Sequence, residues 1–204
     1  MAILEITTML GCPLMCTFCP QETLRKNYVE KAQQNDKYLS IINFQKVLNN
    51  LPSHVQIHFS GMAEPWANPQ ATTMLELALQ GGFVVSIYTT LYGISSEESK
   101  KILSLARKYN QQIKLVCLHL PDRSGNMKGF RYSDEYRAVL INFLAFKEEN
   151  LIKTFQVMTM DSLGSYHESI SDLLKPKIAK WAGMSRAGSL PEDATASLNV
   201  PPPA

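Results

Sequence analysis

Residues 3–20 form the segment ILEITTMLGCPLMCTFCP, in which a short β-branched run is followed at once by three cysteines. The run ILEITT, residues 3–8, has the composition of a buried parallel strand. Cys12, Cys16 and Cys19 follow it with the spacing C-x3-C-x2-C. Because parallel α/β folds place their active sites at the carboxyl ends of the strands, this position favours a functional role for the cysteines.

Four further runs with strand composition alternate with helical patterns along the chain. The candidate strands are residues 54–60, 83–90, 113–120 and 153–160, and the candidate helices cover about residues 42–51, 69–80, 96–109 and 133–149. Repeated βα units with right-handed crossovers form a parallel sheet. Five clear units are too few for a closed eight-stranded barrel, which takes about 250 residues. The sequence therefore predicts an α/β fold, an open, partial (βα)6 TIM-like barrel of parallel strands with outer helices.

Helix start signals support this division, with one gap. Asn68 with Pro69 predicts an N-cap and the first helical residue, and Ser95 with Glu98 predicts a capping box. Ser133 precedes two acidic residues that suit the positive end of a helix. Residues 20–39 are polar and weakly periodic, so the first predicted helix comes only after them.

Composition limits the class of protein. The 204 residues are 45% hydrophobic and 19% charged, which fits one globular domain with a substantial core. The net charge of +2 comes from interspersed residues, and it favours neither a nucleic acid nor a membrane as partner. The N-terminus lacks the features of a signal peptide, and no stretch approaches the roughly 18 apolar residues that span a bilayer. We therefore expect a cytoplasmic protein.

The cysteine cluster itself indicates a metal site. Three cysteines within eight residues are too close together to staple a domain of this length with disulfides. A cubane cluster has four irons that each take a thiolate, so three cysteines leave one iron open for a ligand. A vacant coordination position is typical of catalytic metal sites. The alternatives are a three-cysteine zinc site completed by His or Asp, and buried thiols without a metal.

With Phe18 directly before the third cysteine, this loop resembles the signature of the radical S-adenosylmethionine superfamily. The resemblance implies that Phe18 lies against the cofactor. The resemblance implies a [4Fe–4S] cluster bound by Cys12, Cys16 and Cys19, whose open iron is chelated by the amino and carboxylate groups of S-adenosylmethionine. It implies reductive cleavage to a 5′-deoxyadenosyl radical, which abstracts hydrogen from a peptide, sugar or small-metabolite substrate. It also implies a low-potential electron donor of the flavodoxin or ferredoxin type.

The ends of the second and third strands resemble further superfamily motifs. Residues 60–65, SGMAEP, resemble its glycine-rich motif, although alanine replaces the usual second small residue. The resemblance implies that Ser60 and Gly61 border the cofactor and that Glu64 binds the methionine amino group. Physically, a glycine lets the backbone approach a ligand, and a carboxylate can accept an ammonium group. Thr89 and Thr90 occupy positions that contact ribose and the methionine carboxylate in the family, but threonine is also an ordinary strand residue.

The fourth and fifth strands end in weaker candidates. His119 could contact S-adenosylmethionine or substrate, or it could be a structural histidine. Met160 could line the adenine pocket, but methionine is more often a core residue, and the G-x-I-x-G pattern of many members is missing here. Cys117 and His58 are expected to be structural. No catalytic acid, base or radical acceptor can be named.

The segments that flank these motifs suggest further possibilities. Gln21, Glu22 and Arg25 could extend toward substrate or belong to a solvated loop. We expect residues 1–175 to form the barrel and residues 176–204, with four prolines in their last fourteen positions, to form an extension truncated before a second domain. The stretch 179–190 resembles the approach to a SPASM-type domain with auxiliary clusters, but no cysteine follows it.

The sequence is also compatible with two other functional classes. An iron–sulfur electron-transfer protein without S-adenosylmethionine chemistry would need a fourth ligand that closes the cluster, for example Cys117. A zinc-stabilised interaction module is the third possibility.

Overall fold

The computed structural model describes residues 2–17, 19–32, 36–159, 165–174 and 180–181. In this part of the chain, six strands form one sheet in the order β1-β2-β3-β4-β5-β6, and every neighbouring pair is parallel. The strands are β1 (Ile3–Ile6), β2 (Gln56–Phe59), β3 (Val85–Thr89), β4 (Ile113–Leu120), β5 (Thr154–Thr159) and β6 (Lys180–Trp181). A strictly sequential parallel order is the topology of a βα barrel, so the predicted open, partial barrel is confirmed.

The helices of the described chain lie mainly on one side of this sheet. They are α1 (Gln21–Ala32), α2 (Ile41–Asn50), α3 (Ala71–Gln80), α4 (Ser96–Lys108) and α5 (Asp134–Glu148). Helices α2 to α5 bury their apolar stripes against alternate strand residues, with Phe44, Met74, Ile102 and Phe143 packed in the same core as Ile57, Ile87 and Leu118. Because strand side chains alternate between faces, the residues between these core positions lie on the opposite, inner face of the barrel. No helix among the described residues is long and apolar enough to cross a membrane.

Helix α1 is an element that sequence patterning did not predict. It occupies residues 21–32, inside the stretch 20–39 that shows little periodicity. Of its described side chains only Gln21 is buried, so α1 has no apolar stripe of the kind that identifies a helix. Its position next to the cysteine loop, residues 11–20, gives it a local role that is described below.

Two predicted helix starts are confirmed. The Glu98 N–H donates to Ser95 Oγ at 3.1 Å, and the Tyr136 N–H donates to Ser133 Oγ at 3.1 Å. Each bond satisfies a backbone donor that the first turn of a helix leaves without an intrahelical partner.

Asn68 differs from its predicted role as the N-cap of α3. Helix α3 begins at Ala71, and Asn68 Oδ1 accepts from the Gln70 N–H at 2.9 Å in the turn before it. The Asn68 Nδ2 donates to the carbonyls of Thr8 at 2.8 Å and Leu39 at 2.9 Å. The buried amide thus binds the loop after β2 both to the loop after β1 and to the connection between α1 and α2. A local capping pattern does not predict these long-range contacts.

The last strand lies beyond the predicted end of the barrel. Lys180–Trp181 pairs with Val157 and Met158 of β5, so two residues of the segment 176–204 belong to the sheet. The other residues of that segment lie outside the described residues. The division at residue 175 and the truncated second domain stay predictions.

Candidate functional site

A cleft lies at the carboxyl ends of β1 to β4, where parallel α/β folds place their functional sites. Every predicted site residue that the structure describes lines it: Cys12, Cys16, Cys19, Ser60, Gly61, Glu64, Thr89, Thr90 and His119. Tyr88 and Met127 also line it. Phe18 and Met160 lie outside the described residues. The fold therefore brings together residues up to 107 positions apart in sequence, from Cys12 to His119.

The charges of this cleft point to a positively charged occupant. Three thiols and the Glu64 carboxyl face it, and no Lys or Arg among the described residues lines it. If these groups lose their protons, the resulting negative charges repel each other unless a cation lies between them. Iron ions, or a ligand with a sulfonium or ammonium group, would supply that charge.

The cysteine loop alternates between the cleft and the outer surface. Cys12 and Cys16 line the cleft and Leu14 is buried, whereas Pro13 and Met15 are exposed on the other side. Among the described residues, no three His, Cys, Asp or Glu side chains could together hold one metal ion. The cysteines thus share a cleft without converging on a single point. A cubane, whose thiolates bind separate irons, fits this distribution of donors.

Gln21, the first residue of α1, braces the cysteine loop from one side. Its Oε1 accepts from the Cys12 N–H at 2.5 Å, and its Nε2 donates to the Leu14 carbonyl at 2.5 Å. The side chain is 5% exposed. Glu22 and Arg25 instead form an ion pair at 2.9 Å on the surface of the helix. Gln21 is therefore not a solvated residue: it supports the backbone between the first two cysteines and also lines the cleft, so its contact with a substrate stays a prediction.

Replacing Gln21 with Ala is expected to weaken both the loop and its capacity for iron. The change leaves the Cys12 N–H and the Leu14 carbonyl without their partner, at about 1–3 kcal/mol of unfolding free energy. We expect less iron per chain after anaerobic reconstitution, measured beside denaturant unfolding. The control is Gln45→Ala, which removes an exposed amide bonded to Asn49 on α2. Equal iron content in the two variants would refute a bracing role for Gln21.

The β4–α5 loop, residues 121–133, braces the cysteine loop from the other side. The Met15 N–H donates to the Lys128 carbonyl at 2.8 Å, and the Thr17 N–H donates to the Asn126 carbonyl at 3.0 Å. Met127, which lies between these two bonds, is buried and lines the cleft. The two loops are thus joined by main-chain pairing of the kind found between strands.

Gly61 is required by its backbone as well as by its place in the cleft. Its φ of +87° lies in the region that side chains with a Cβ rarely adopt. A Cβ at this position would also overlap Thr7 Oγ1, which accepts a hydrogen bond from the Met62 N–H at 3.4 Å. The sequence indicated a close approach to a ligand, and the structure adds a close approach to the chain that leaves β1.

A Gly61→Ala substitution is expected to destabilise the fold more than the same change at Gly82. Gly82 has a similar φ of +78°, but a Cβ there would meet no neighbour within 4 Å, so Gly82→Ala costs only the positive φ, about 1–2 kcal/mol. Gly61→Ala adds overpacking against Thr7, a further ~1–3 kcal/mol. Denaturant unfolding of both variants measures the difference in unfolding free energy. Adding Thr7→Ala should restore part of the lost unfolding free energy in Gly61→Ala but none in Gly82→Ala. Equal losses at the two glycines would contradict the clash.

The Glu64 carboxyl is held by donors from the end of β3. Its Oε1 accepts from Thr89 Oγ1 at 2.6 Å and from the Trp66 N–H at 3.3 Å. Its Oε2 accepts from both the N–H and the Oγ1 of Thr90, each at 2.6 Å. Burial nevertheless raises the pKa of Glu64 above its usual range, and these hydrogen bonds only oppose the shift. A carboxylate held so firmly without a neighbouring cation is suited to receive one from a ligand.

This arrangement sharpens the roles predicted for Thr89 and Thr90. A hydroxyl has one proton to donate, and both hydroxyls donate it to Glu64. Each also accepts a backbone N–H, from Leu91 at 2.9 Å and from Tyr92 at 3.3 Å. In this state neither hydroxyl has a proton left for a ribose or carboxylate oxygen. The two threonines orient Glu64, and their direct contacts to a ligand stay predictions.

Glu64 also contacts the first cysteine through its main chain. Its N–H donates to Cys12 Sγ at 3.4 Å. Burial raises the pKa of the Cys12 thiol, while the backbone N–H groups of Leu14 and Glu64 act in the opposite direction. Such N–H donors stabilise a thiolate, which is the form of cysteine that binds iron.

Two further polar groups on the inner face of the sheet lie at this cleft. Ser60 Oγ is buried and has no hydrogen-bond partner in the described structure, although buried hydroxyls are normally bonded. His119 is buried, and its ring lies 6.3 Å from that of Tyr88 between centroids. An occupant with polar groups would satisfy Ser60 and could contact His119.

Cys117 lies apart from this site, as expected for a core residue. It is completely buried on β4, its Sγ is 3.2 Å from Met158 Sδ, and it does not line the cleft. His58 lies farther along the inner face, 5.5 Å from Tyr88 between ring centroids, and burial lowers its pKa. Its structural role stays a prediction.

Three solved structures have folds similar to that of this chain. BtrN, in complex with AdoMet and 2-DOIA, is 12% identical with a TM-score of 0.50, over 76% of this chain and 56% of BtrN. TYW1 with a lysine–pyruvate adduct bound is 14% identical, with a TM-score of 0.46, over 80% of this chain and 57% of TYW1. Native anSMEcpe with bound AdoMet is 16% identical, with a TM-score of 0.48, over 84% of this chain and 48% of that protein.

The likeness to BtrN shows that the chain shares the fold of that protein over the matched part. The chain spans about half the length of the solved structures that it matches. No family model and no curated protein matches the sequence.

Proposed function

We propose that the chain is the core of a radical S-adenosylmethionine enzyme, with a [4Fe–4S] cluster bound by Cys12, Cys16 and Cys19. The observation that supports this most is the shared cleft, in which the three thiols meet Ser60, Glu64 and the end of β3 on a sequential parallel sheet. When bound, the cluster supplies the electron that cleaves S-adenosylmethionine to methionine and a 5′-deoxyadenosyl radical, which takes hydrogen from a peptide, sugar or small-metabolite substrate.

In this proposal the chain's own residues bind and orient the cofactor. Glu64, fixed by Thr89 and Thr90, accepts the ammonium group of the methionine moiety. Ser60 and His119 offer hydrogen bonds on the same side of the cleft. Leu14 and Met127 close the cleft against water beside the cysteine loop. We also propose, from the sequence alone, that Phe18 and Met160 contact the cofactor.

The electron donor, substrate and location of the whole protein are extensions of this proposal. A low-potential donor of the flavodoxin or ferredoxin type would reduce the cluster. We also propose that the protein acts in the cytoplasm.

The test is anaerobic reconstitution with iron and sulfide, followed by incubation with S-adenosylmethionine and dithionite. We expect 5′-deoxyadenosine and methionine in equal amounts, and neither product from a chain with all three cysteines changed to Ala. A reconstituted cluster that yields no 5′-deoxyadenosine would overturn the assignment in favour of electron transfer. That alternative needs a fourth ligand, and Cys117, buried beside Met158 and away from the cleft, is poorly placed to be one.

A further inference from the structure

We propose that the outer side of the cysteine loop, together with the exposed basic residues of the β4–α5 loop, is the docking surface for an acidic electron-carrier protein. This inference rests on the proposed function, since it assigns a surface to the partner that delivers the electron. It is carried by the exposure pattern of the cysteine loop and by the charges next to it.

The cysteine loop is a single layer of chain between the cleft and solvent. Cys12 and Cys16 face the cleft, whereas Pro13, Met15 and Thr17 are exposed on the outside. The Met15 side chain is 65% exposed. Electron transfer requires the two redox groups to come close together, and a partner seated on this side is separated from the cleft only by the loop itself.

The adjacent β4–α5 loop supplies a positive rim. Arg123, Lys128 and Arg131 are exposed, and residues 123–133 include no acidic residue. The one acid earlier in this loop, Asp122, is buried. The Met15 N–H bond to the Lys128 carbonyl, 2.8 Å long, places this loop directly beside the exposed methionine.

Arg123 and Lys128 supply the main positive charge of this rim, because Glu135 lines the same surface pocket as Arg131. The ion pairs of the described chain lie elsewhere, and none includes Arg123, Lys128 or Arg131. On the neighbouring helix α1, Arg25 and Lys26 are paired with acids of the same helix. Because the whole chain has 20 basic and 18 acidic residues, three basic residues and no acidic one within positions 123–131 are a local excess.

A flexible apolar side chain with a basic rim is suited to an acidic protein surface. Methionine adapts its shape to different partners, and interfaces commonly combine an apolar centre with a polar rim. Complementary charge mainly raises the rate of encounter and fixes orientation. The transfer itself moves one electron: the reduced carrier is oxidised by one electron, the cluster is reduced by one, and no atom or proton changes place.

The experiment uses the reconstituted chain and an acidic flavodoxin, photoreduced under anaerobic conditions. For each variant, the rate of cluster reduction by flavodoxin is divided by the rate with dithionite, and the Kd of the flavodoxin complex is measured independently. The variants are Arg123→Glu and Lys128→Glu, singly and together. The control is Lys46→Glu, which makes the same charge change at an exposed position on α2.

We expect the double reversal to lower the ratio of rates at least about tenfold and to weaken the complex, whereas Lys46→Glu changes neither. In the unmodified chain, binding should weaken steeply between about 0.01 M and 0.15 M ionic strength, where the Debye length falls from ~30 to ~8 Å. If the double reversal weakens the flavodoxin complex no more than Lys46→Glu does, and dithionite still reduces the cluster, the proposed docking surface is wrong. Failure of dithionite to reduce a cluster in any of the chains would overturn the proposed function, and the docking inference with it.

Discussion

A chain with Ala at Cys12, Cys16 or Cys19 is expected to lose its iron–sulfur cluster after anaerobic reconstitution. The three thiols are the described cysteines that line the cleft, and in the proposed cluster each would bind a different iron of a cubane, so removing one would leave two irons without a protein ligand. Iron and sulfide content, visible absorbance and the electron paramagnetic resonance of the reduced protein measure the loss. We expect each single variant to retain at most about a tenth of the intact cluster, since loss of even a supporting residue at a metal site costs about 10–100-fold in affinity.

Cys117→Ala is the matched control for this result. It removes the same chemical group, but from a buried position on β4 whose sulfur contacts Met158. Its cluster content should equal that of the unmodified chain in the folded fraction. Loss of the cluster in Cys117→Ala would indicate a closed site with four protein ligands. Retention in all three cleft variants would indicate that the cysteines do not bind the cluster.

Glu64→Gln is expected to impair S-adenosylmethionine binding far more than cluster assembly. The amide keeps the size of the side chain but removes the charge that would receive an ammonium group, a contact worth about 1.5–3 kcal/mol. The Kd of S-adenosylmethionine should therefore rise about 10- to 150-fold, measured by equilibrium binding to the reconstituted chain. Formation of 5′-deoxyadenosine at low cofactor concentration should fall in parallel. Iron content should change little, because Glu64 contacts Cys12 through its main-chain N–H.

A second measurement separates this effect from a loss of stability. The amide that Glu64→Gln introduces would present donors toward the Thr90 N–H and hydroxyl, which now donate to the carboxylate, at a cost of about 1–3 kcal/mol in unfolding free energy. The control Glu76→Gln makes the same change on α3, where the carboxylate accepts from the Gln80 amide at 3.1 Å. If Glu64→Gln binds the cofactor as tightly as Glu76→Gln, the carboxylate is not the ammonium site.

Local sequence signals were sufficient for much of the fold. Alternating strand runs predicted the first five parallel strands, and Ser95 and Ser133 identified two helix starts because their side chains act within one turn. Helix α1 and β6 escaped prediction for different reasons. The helix has no apolar stripe, and the strand is only two residues long and depends on β5 for its pairing.

For the site, the sequence predicted which residues take part but not how they contact one another. Its members could be named because they lie at strand ends, where parallel sheets gather their functional residues. Their mutual contacts could not be named, because they depend on the distance between separate loops. Thus Gln21 gave no signal of its bond to Cys12, and Thr89 and Thr90 gave none that their protons are donated to Glu64.

The pairing of the cysteine loop with its two neighbours has a consequence for how this surface can change over evolutionary time. Gln21 binds the N–H of Cys12 and the carbonyl of Leu14, and the β4–α5 loop binds the N–H of Met15. These are main-chain atoms, which every residue except proline possesses in full. The outward side chain at Met15 can therefore be replaced without altering the supports of the loop, so recognition of a redox partner can diverge while the ligand set stays fixed.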